Sequence, residues 1–297
     1  MTRRGRRVSP ATVFFAVLSV ALAIALYLKT RPAPPVPAPA PAPAARSPRP
    51  TAPRARTAPP KASPTKSARA AIPPGTTGLA AIVIDDLGNE LGPAERIASW
   101  KAPVAGAVLP GVAYSAAAAR ALARGGKEVL LHLPMEPAGY PKVRPGPGVI
   151  LRSQSDAEIA ATLASDLDTV PGAAGVNNHM GSAATADPRV MRAVVRLLSD
   201  RGLFFLDSRT TDATVAERTA AEASVRTVAR RVFLDDVATA DAVRAQLAQL
   251  IRRARQDGSA VAIGHPHGVT LSVLEQDLPD WERREGVRLV KVSELAK

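Results

Sequence analysis

From residue 78 to residue 297 the sequence alternates short apolar runs with helical patterns, without any further linker, and this alternation leaves few folds open. Apolar runs predict strands near 79–84, 104–109, 128–133, 173–178, 203–207, 231–235, 260–264 and 287–292. The helical stretches between them carry start and stop signals. Ser155 and Glu158 have capping-box spacing, Asp187 precedes Pro188 at a first-turn position, and Gly258 follows a helix with Val243, Leu247, Leu250 and Ile251 on one face. Strand-then-helix repetition of this kind implies an α/β domain with a largely parallel sheet, open or closed into a barrel.

The N-terminal quarter reads differently. Arg3, Arg4, Arg6 and Arg7 precede residues 11–28, eighteen positions without a charge, and Lys29 and Arg31 follow. As a helix that run spans roughly 27 Å, close to the hydrocarbon thickness of a bilayer. No small-x-small site follows it, so an uncleaved signal anchor is expected, with residues 1–10 as a cytoplasmic basic end. Residues 29–77, rich in Pro, Ala, Ser and Thr, are expected to be a disordered tether. These features predict a single-pass inner-membrane protein whose 78–297 domain faces the periplasm.

The net charge of +13 invites a nucleic-acid reading, which fails once the charge is located. Thirteen of the 39 Lys+Arg lie in residues 1–75, which hold no Asp or Glu, and the remaining 26 match the 26 acidic residues. No nucleic-acid partner is therefore expected. Without cysteine, metal ligands are restricted to His, Asp, Glu and backbone groups.

In parallel α/β folds, sites gather at the carboxyl ends of strands, and here those ends are polar. They read Asp85-Asp86, His132 through Glu136, Asn177-Asn178-His179, Asp207-Ser208-Arg209, Asp235-Asp236 and His265-Pro266-His267. All four histidines lie there. Adjacent carboxylates repel, and a shared cation resolves the repulsion. The pattern points to a mononuclear site for a divalent metal ion, zinc being the expected element. One of Asp85 and Asp86 would ligate and the other would take a proton from water.

The segments Ile82–Gly88, His132–Pro137, Asn177–Ser182, Phe205–Thr210 and Ile263–Pro266 together resemble the divergent polysaccharide deacetylase family. The resemblance implies a deformed (β/α) barrel of the carbohydrate-esterase kind in a bacterial envelope. It also implies Asp85 as base, Asp86 as metal ligand and His265 as general acid. Better-known deacetylases take two metal histidines from one His-x-x-x-His segment, whereas Glu136 stands four positions after His132. His179 is therefore expected beside Asp86 and His132 as the third ligand.

Asp207 is a further catalytic candidate, and Arg209 stands nearest to the family's arginine motif, although the two read equally well as a loop-holding pair. Asn177 and Asn178 are candidates for sugar binding or for orienting His179, and Glu136 for ligand, base or helix-start carboxylate. Asp235 and Asp236 read as structural and His267 as an exposed loop histidine. The function implied is metal-dependent deacetylation of an N-acetylated envelope polysaccharide such as peptidoglycan; the alternative is a tethered glycan-binding or scaffolding protein that keeps the barrel without the chemistry.

Overall fold

The computed structural model describes residues 78–297. The expected N-terminal segments 1–10, 11–28 and 29–77 lie outside the described residues. Among the described residues, no helix is long and apolar enough to cross a membrane.

The strands are β1 (Gly78–Leu87), β2 (Ala105–Val108), β3 (Val129–Met135), β4 (Gly175–Met180), β5 (Phe204–Asp207), β6 (Thr227–Ala229), β7 (Val232–Phe233), β8 (Ser259–Gly264) and β9 (Val287–Leu289). The helices are α1 (Gly92–Ala98), α2 (Ser115–Arg124), α3 (Asp156–Thr169), α4 (Pro188–Asp200), α5 (Ala216–Glu222), α6 (Ala240–Asp257), α7 (Gly268–Asp277) and α8 (Trp281–Glu285). The Ser155–Glu158 capping box is formed, Asp187 caps α4, and Gly258 ends α6 in the left-handed region at φ 80°.

The nine strands form one parallel sheet in the order β6-β5-β4-β3-β2-β1-β8-β7, with β9 on β1. The sheet curls into a half-barrel. Its edges, β6 and β7, are not paired with each other, and only Arg230 and Arg231 separate them in the chain. Arg230 N–H donates to the Asp207 carbonyl and Arg231 N–H to that of Val261, so the chain crosses from the β5 side to the β8 side within one step. Central β1 pairs with β8 through Leu79–Ile84 on one edge. On the other it pairs with β9 through Gly78–Ala80, then with β2 from Val83.

The period of two along each strand divides the apolar residues between two faces. Ala80, Ile82 and Ile84 pack with Leu131, Leu133, Phe205 and the helices. Ala81, Val83, Leu130, Leu206, Val261 and Ile263 pack on the inner face, where Val290, Val292 and Leu295 of the C-terminal segment plug the base. Continued one step upward, the inner register of β1, β3 and β8 delivers Asp85, His132 and His265 to the mouth. The same alternation that builds the core therefore aims the polar groups.

Candidate active site

Two adjacent residues on a regular strand would point to opposite faces, yet Asp85 and Asp86 both reach the mouth. The register of β1 against β2 shifts between Ile84 and Leu87, and Asp86 adopts φ 57°. A left-handed aspartate costs of order 1 kcal/mol or more, and such strain is concentrated at functional sites. The end of β4 turns similarly, with Met180 at φ 53° and Gly181 at φ 89°; a Cβ on Gly181 would approach that of Met135 to 2.8 Å.

Three donor atoms form a tight triangle. His132 Nε2 lies 3.2 Å and His179 Nδ1 3.0 Å from Asp86 Oδ1, and the two ring nitrogens are 3.1 Å apart. The β3–β4 register explains the pairing, because His132 lies opposite Asn177 and His179 opposite Pro134. Asp86 Oδ1 is buried yet accepts no well-aligned hydrogen bond. An orphaned anionic oxygen facing two imidazole nitrogens fits a divalent cation and is costly without one. Side-chain exposures of 35% for Asp86 and 17% for His179 leave one side of the triangle open.

Asn177 lies beneath the triangle, fully buried. Its Nδ2 donates to Asp85 Oδ1 at 2.8 Å, and its Oδ1 faces His132 Nδ1 at 3.0 Å. Since the Asn177 oxygen is an acceptor, His132 Nδ1 carries the hydrogen and Nε2 presents a lone pair to the triangle. The expected sugar-binding role gives way here to an internal one, because the amide is already engaged by Asp85 and His132.

Asn178 is likewise turned inward. It donates to the Met180 carbonyl at 2.7 Å and accepts from Ser208 N–H at 2.9 Å, tying the ends of β4 and β5 together.

Burial pushes the Asp85 carboxyl up, outweighing His132, Asn177 and His265, which favour its charge. Burial acts upward on Asp86 too, but the neighbouring imidazoles of His132 and His179 more than reverse it and hold the carboxyl well below the usual carboxylate range. Neighbouring carboxylates thus receive opposite characters, one basic and one ionised, as a base and a ligand require.

His265 Nε2 lies 4.0 Å from Asp86 Oδ2, while its Nδ1 is 3.0 Å from Asp235 Oδ1. Asp235 Oδ2 accepts from His265 N–H at 2.6 Å and from Thr270 Oγ1 at 2.9 Å. Burial works against a charged His265, but Asp235, Asp85 and Asp86 overcome it and raise its pKa. Asp235, read from sequence as structural, is thus the residue that orients His265. The signal was present: Phe233-Leu234-Asp235-Asp236 repeats the apolar-run-then-Asp-pair pattern of β1.

Other candidates lie apart. Asp207 is fully buried, accepts from Arg209 N–H at 2.8 Å and Thr214 Oγ1 at 2.9 Å, and holds its own loop instead of joining the triangle. Glu136 accepts from Arg152 N–H at 2.7 Å and Arg152 Nε at 2.9 Å, so its carboxylate braces the β3–α3 connection. Arg209 lines the cleft beside Arg230, which no motif had singled out. Arg230 donates through Nε to the Ser208 carbonyl at 2.7 Å and through Nη2 to the Arg209 carbonyl at 3.0 Å. His267 is exposed, as expected, although Asp235, His265 and His267 form a second group of closely spaced donors.

The family model described as divergent polysaccharide deacetylase matches residues 82–296, covering every strand end described above. The chain belongs to the divergent polysaccharide deacetylase family. Relatives of this deacetylase-family chain include an uncharacterized protein of Haemophilus influenzae, 38% identical over 72% of this chain and 75% of that protein. Another is the uncharacterized protein YibQ of Escherichia coli, 36% identical over 75% of this chain and 68% of its own length. Among solved structures, the uncharacterized protein ATU2773 from Agrobacterium tumefaciens superposes with a TM-score of 0.69 at 24% identity, over 73% of this chain and 89% of that one. The fold is therefore shared with that solved structure.

Proposed function

We propose that this chain is a metal-dependent deacetylase of an N-acetylated envelope polysaccharide, anchored in the inner membrane through residues 11–28 with residues 78–297 in the periplasm. The observation that carries this reading is the set Asp86, His132 and His179, three donors within 3.2 Å of one another, flanked by Asp85 and His265. A divalent cation held by those three residues, zinc being the expected one, would supply Lewis-acid polarisation of the acetyl carbonyl.

The chain's own groups supply the proton transfers. Asp85, with its pKa raised by burial, takes one proton from a water molecule as the water oxygen bonds to the acetyl carbon. His265, held by Asp235 with Nε2 toward the mouth, donates a proton to the amide nitrogen as the C–N bond breaks. Acetate and the free amine leave, Asp85 returns its proton to solvent, and His265 is reprotonated. Asn177 keeps Asp85 and His132 in register throughout.

The test is acetate release by purified, metal-loaded protein from N-acetylated glycan oligomers. Asp85→Asn is expected to lower the rate by about 10²–10⁴ through loss of the base. Glycan binding without any acetate release would instead establish the tethered binding protein.

A further inference from the structure

The cleft above the triangle, about 710 Å³, is lined by three arginines, Arg209, Arg230 and Arg231, against two carboxylates, Asp85 and Asp236. The guanidinium of Arg230 is fixed by two carbonyls and lies 5.2 Å from the centre of the Phe233 ring. Its charge is opposed first by burial, then answered by Asp207 and Asp85 and opposed again by Arg209. Arg209 pairs with Glu217 at 3.6 Å and Asp212 at 3.9 Å, longer contacts than a bidentate carboxylate would make. Arg231 is exposed, and among the described residues it has no ion-pair partner. Three cations thus line one cleft, and the one at Arg231 is without an ion pair, so an entering anion relieves their mutual repulsion. The planar fork of arginine matches a carboxylate in shape and hydrogen-bond direction.

We infer that Arg209 and Arg231 recognise a carboxylate on the glycan beside the acetylated amino sugar, so that the substrate is an acidic N-acetylated polysaccharide and not a neutral one. This rests on the deacetylase reading for the identity of the ligand as a glycan, but binding can be measured without turnover. Neutral contacts along the same cleft come from Gln246 and Gln249 of α6, suited to sugar hydroxyls.

The probes are an oligosaccharide alternating N-acetylglucosamine with glucuronate, one alternating N-acetylglucosamine with the lactyl-ether sugar muramic acid, and the carboxyl-reduced form of each. Dissociation constants are measured by calorimetry on the full chain carrying Asp85→Asn, and acetate release on the unsubstituted chain. At least one carboxylated probe should bind about tenfold more tightly than its reduced form, and which one does distinguishes a ring carboxylate from a lactyl carboxylate. Arg231→Gln, at an exposed side chain without an ion pair among the described residues, should weaken the carboxylated probe toward the affinity of the reduced one, with circular dichroism confirming the fold. Arg231→Lys should recover part of the difference, and Arg209→Gln should act in the same direction. Equal affinity for carboxylated and reduced forms of both probes overturns the inference, even if acetate is released from all of them. Preference for a carboxylate without acetate release overturns the deacetylase reading while upholding carboxylate recognition by Arg209 and Arg231.

Discussion

Asn177 joins Asp85 to His132, donating 2.8 Å to the carboxylate and accepting at 3.0 Å from the imidazole. One amide thus sets both the rotamer of Asp85, the proposed base, and the tautomer of His132, a proposed metal ligand, and it does so from a fully buried position in the middle of β4. Asn177→Ala removes both bonds at once. A loss of about 10–100-fold in metal affinity is expected, as for other groups that orient ligating histidines, together with a fall in kcat. Competition against a chelating dye, with circular dichroism to confirm the fold, measures it. Unchanged metal affinity would show that His132 needs no orienting partner.

Metal uptake should depend on pH with a definite sign. Burial disfavours charge on His132, but Asp85, Asp86 and Asn177 overcome it and raise the imidazole pKa. A proton on His132 must leave before Nε2 can ligate. Affinity should therefore climb as pH rises through the raised His132 pKa and weaken below it; His132→Ala should flatten the dependence as well as reduce affinity. Titrations between pH 5 and 8.5 provide the check.

Asp235→Asn probes the orientation of His265. Asp235 is one of the groups that raise the His265 pKa, and a general acid works only while protonated. Activity is lost as pH rises through that pKa, so weakening the partner should move the alkaline limb of kcat/KM to lower pH. A rate loss of about 10²-fold or more is also expected, since the ring loses its fixed tautomer. A lowered rate with an unmoved alkaline limb would assign Asp235 to loop structure alone.

Asp166 on α3 offers a test of stability away from the site. Its carboxyl is buried, Oδ2 has no hydrogen-bond partner, and Gly148 packs so closely that a Cβ there would lie 2.1 Å from Oδ1. Burial pushes its pKa up to about 7. With the folded value above the unfolded one, the folded state binds the extra proton, so stability contributed by the neutral acid is lost as pH rises toward and past 7. Asp166→Asn should accordingly raise Tm at pH 8 by more than at pH 5, with a gain of about 1–3 kcal/mol at the higher pH. Equal shifts at both pH values would count against a buried, titrating Asp166.

Much of the sheet was legible because parallel strands buried on both faces read as continuous apolar runs, and eight expected strands are present. β6 was not, because Thr227–Ala229 is too short to show a pattern and owes its place to pairing with β5. Asp85, Asp86, His132, His179 and His265 were marked as site candidates by lying at strand ends. What the sequence could not reveal was the bulge at Asp86, which aims both carboxylates the same way, or the inward turn of Asn177, Asn178, Asp207 and Glu136. Asn177 and Asn178 meet partners far along the chain, whereas Asp207 is held by Arg209 and Thr214 of its own loop, and an asparagine that binds sugar looks the same in sequence as one that steadies a histidine. Arg230 lacked any signal, since its position arises from the crossing between the two sheet edges.

The pairing of β1 also bears on how the chain reaches its native state. This strand is the first of the sheet to be synthesised, yet its neighbours β8 and β9 are among the last, so one edge and the base of the other stay open until nearly the whole domain exists. Such long-range closure slows folding and leaves an apolar ribbon available for wrong pairing in the interval. A chain stalled before Val287 would hold Asp85 and Asp86 on a strand whose base still lacks β9.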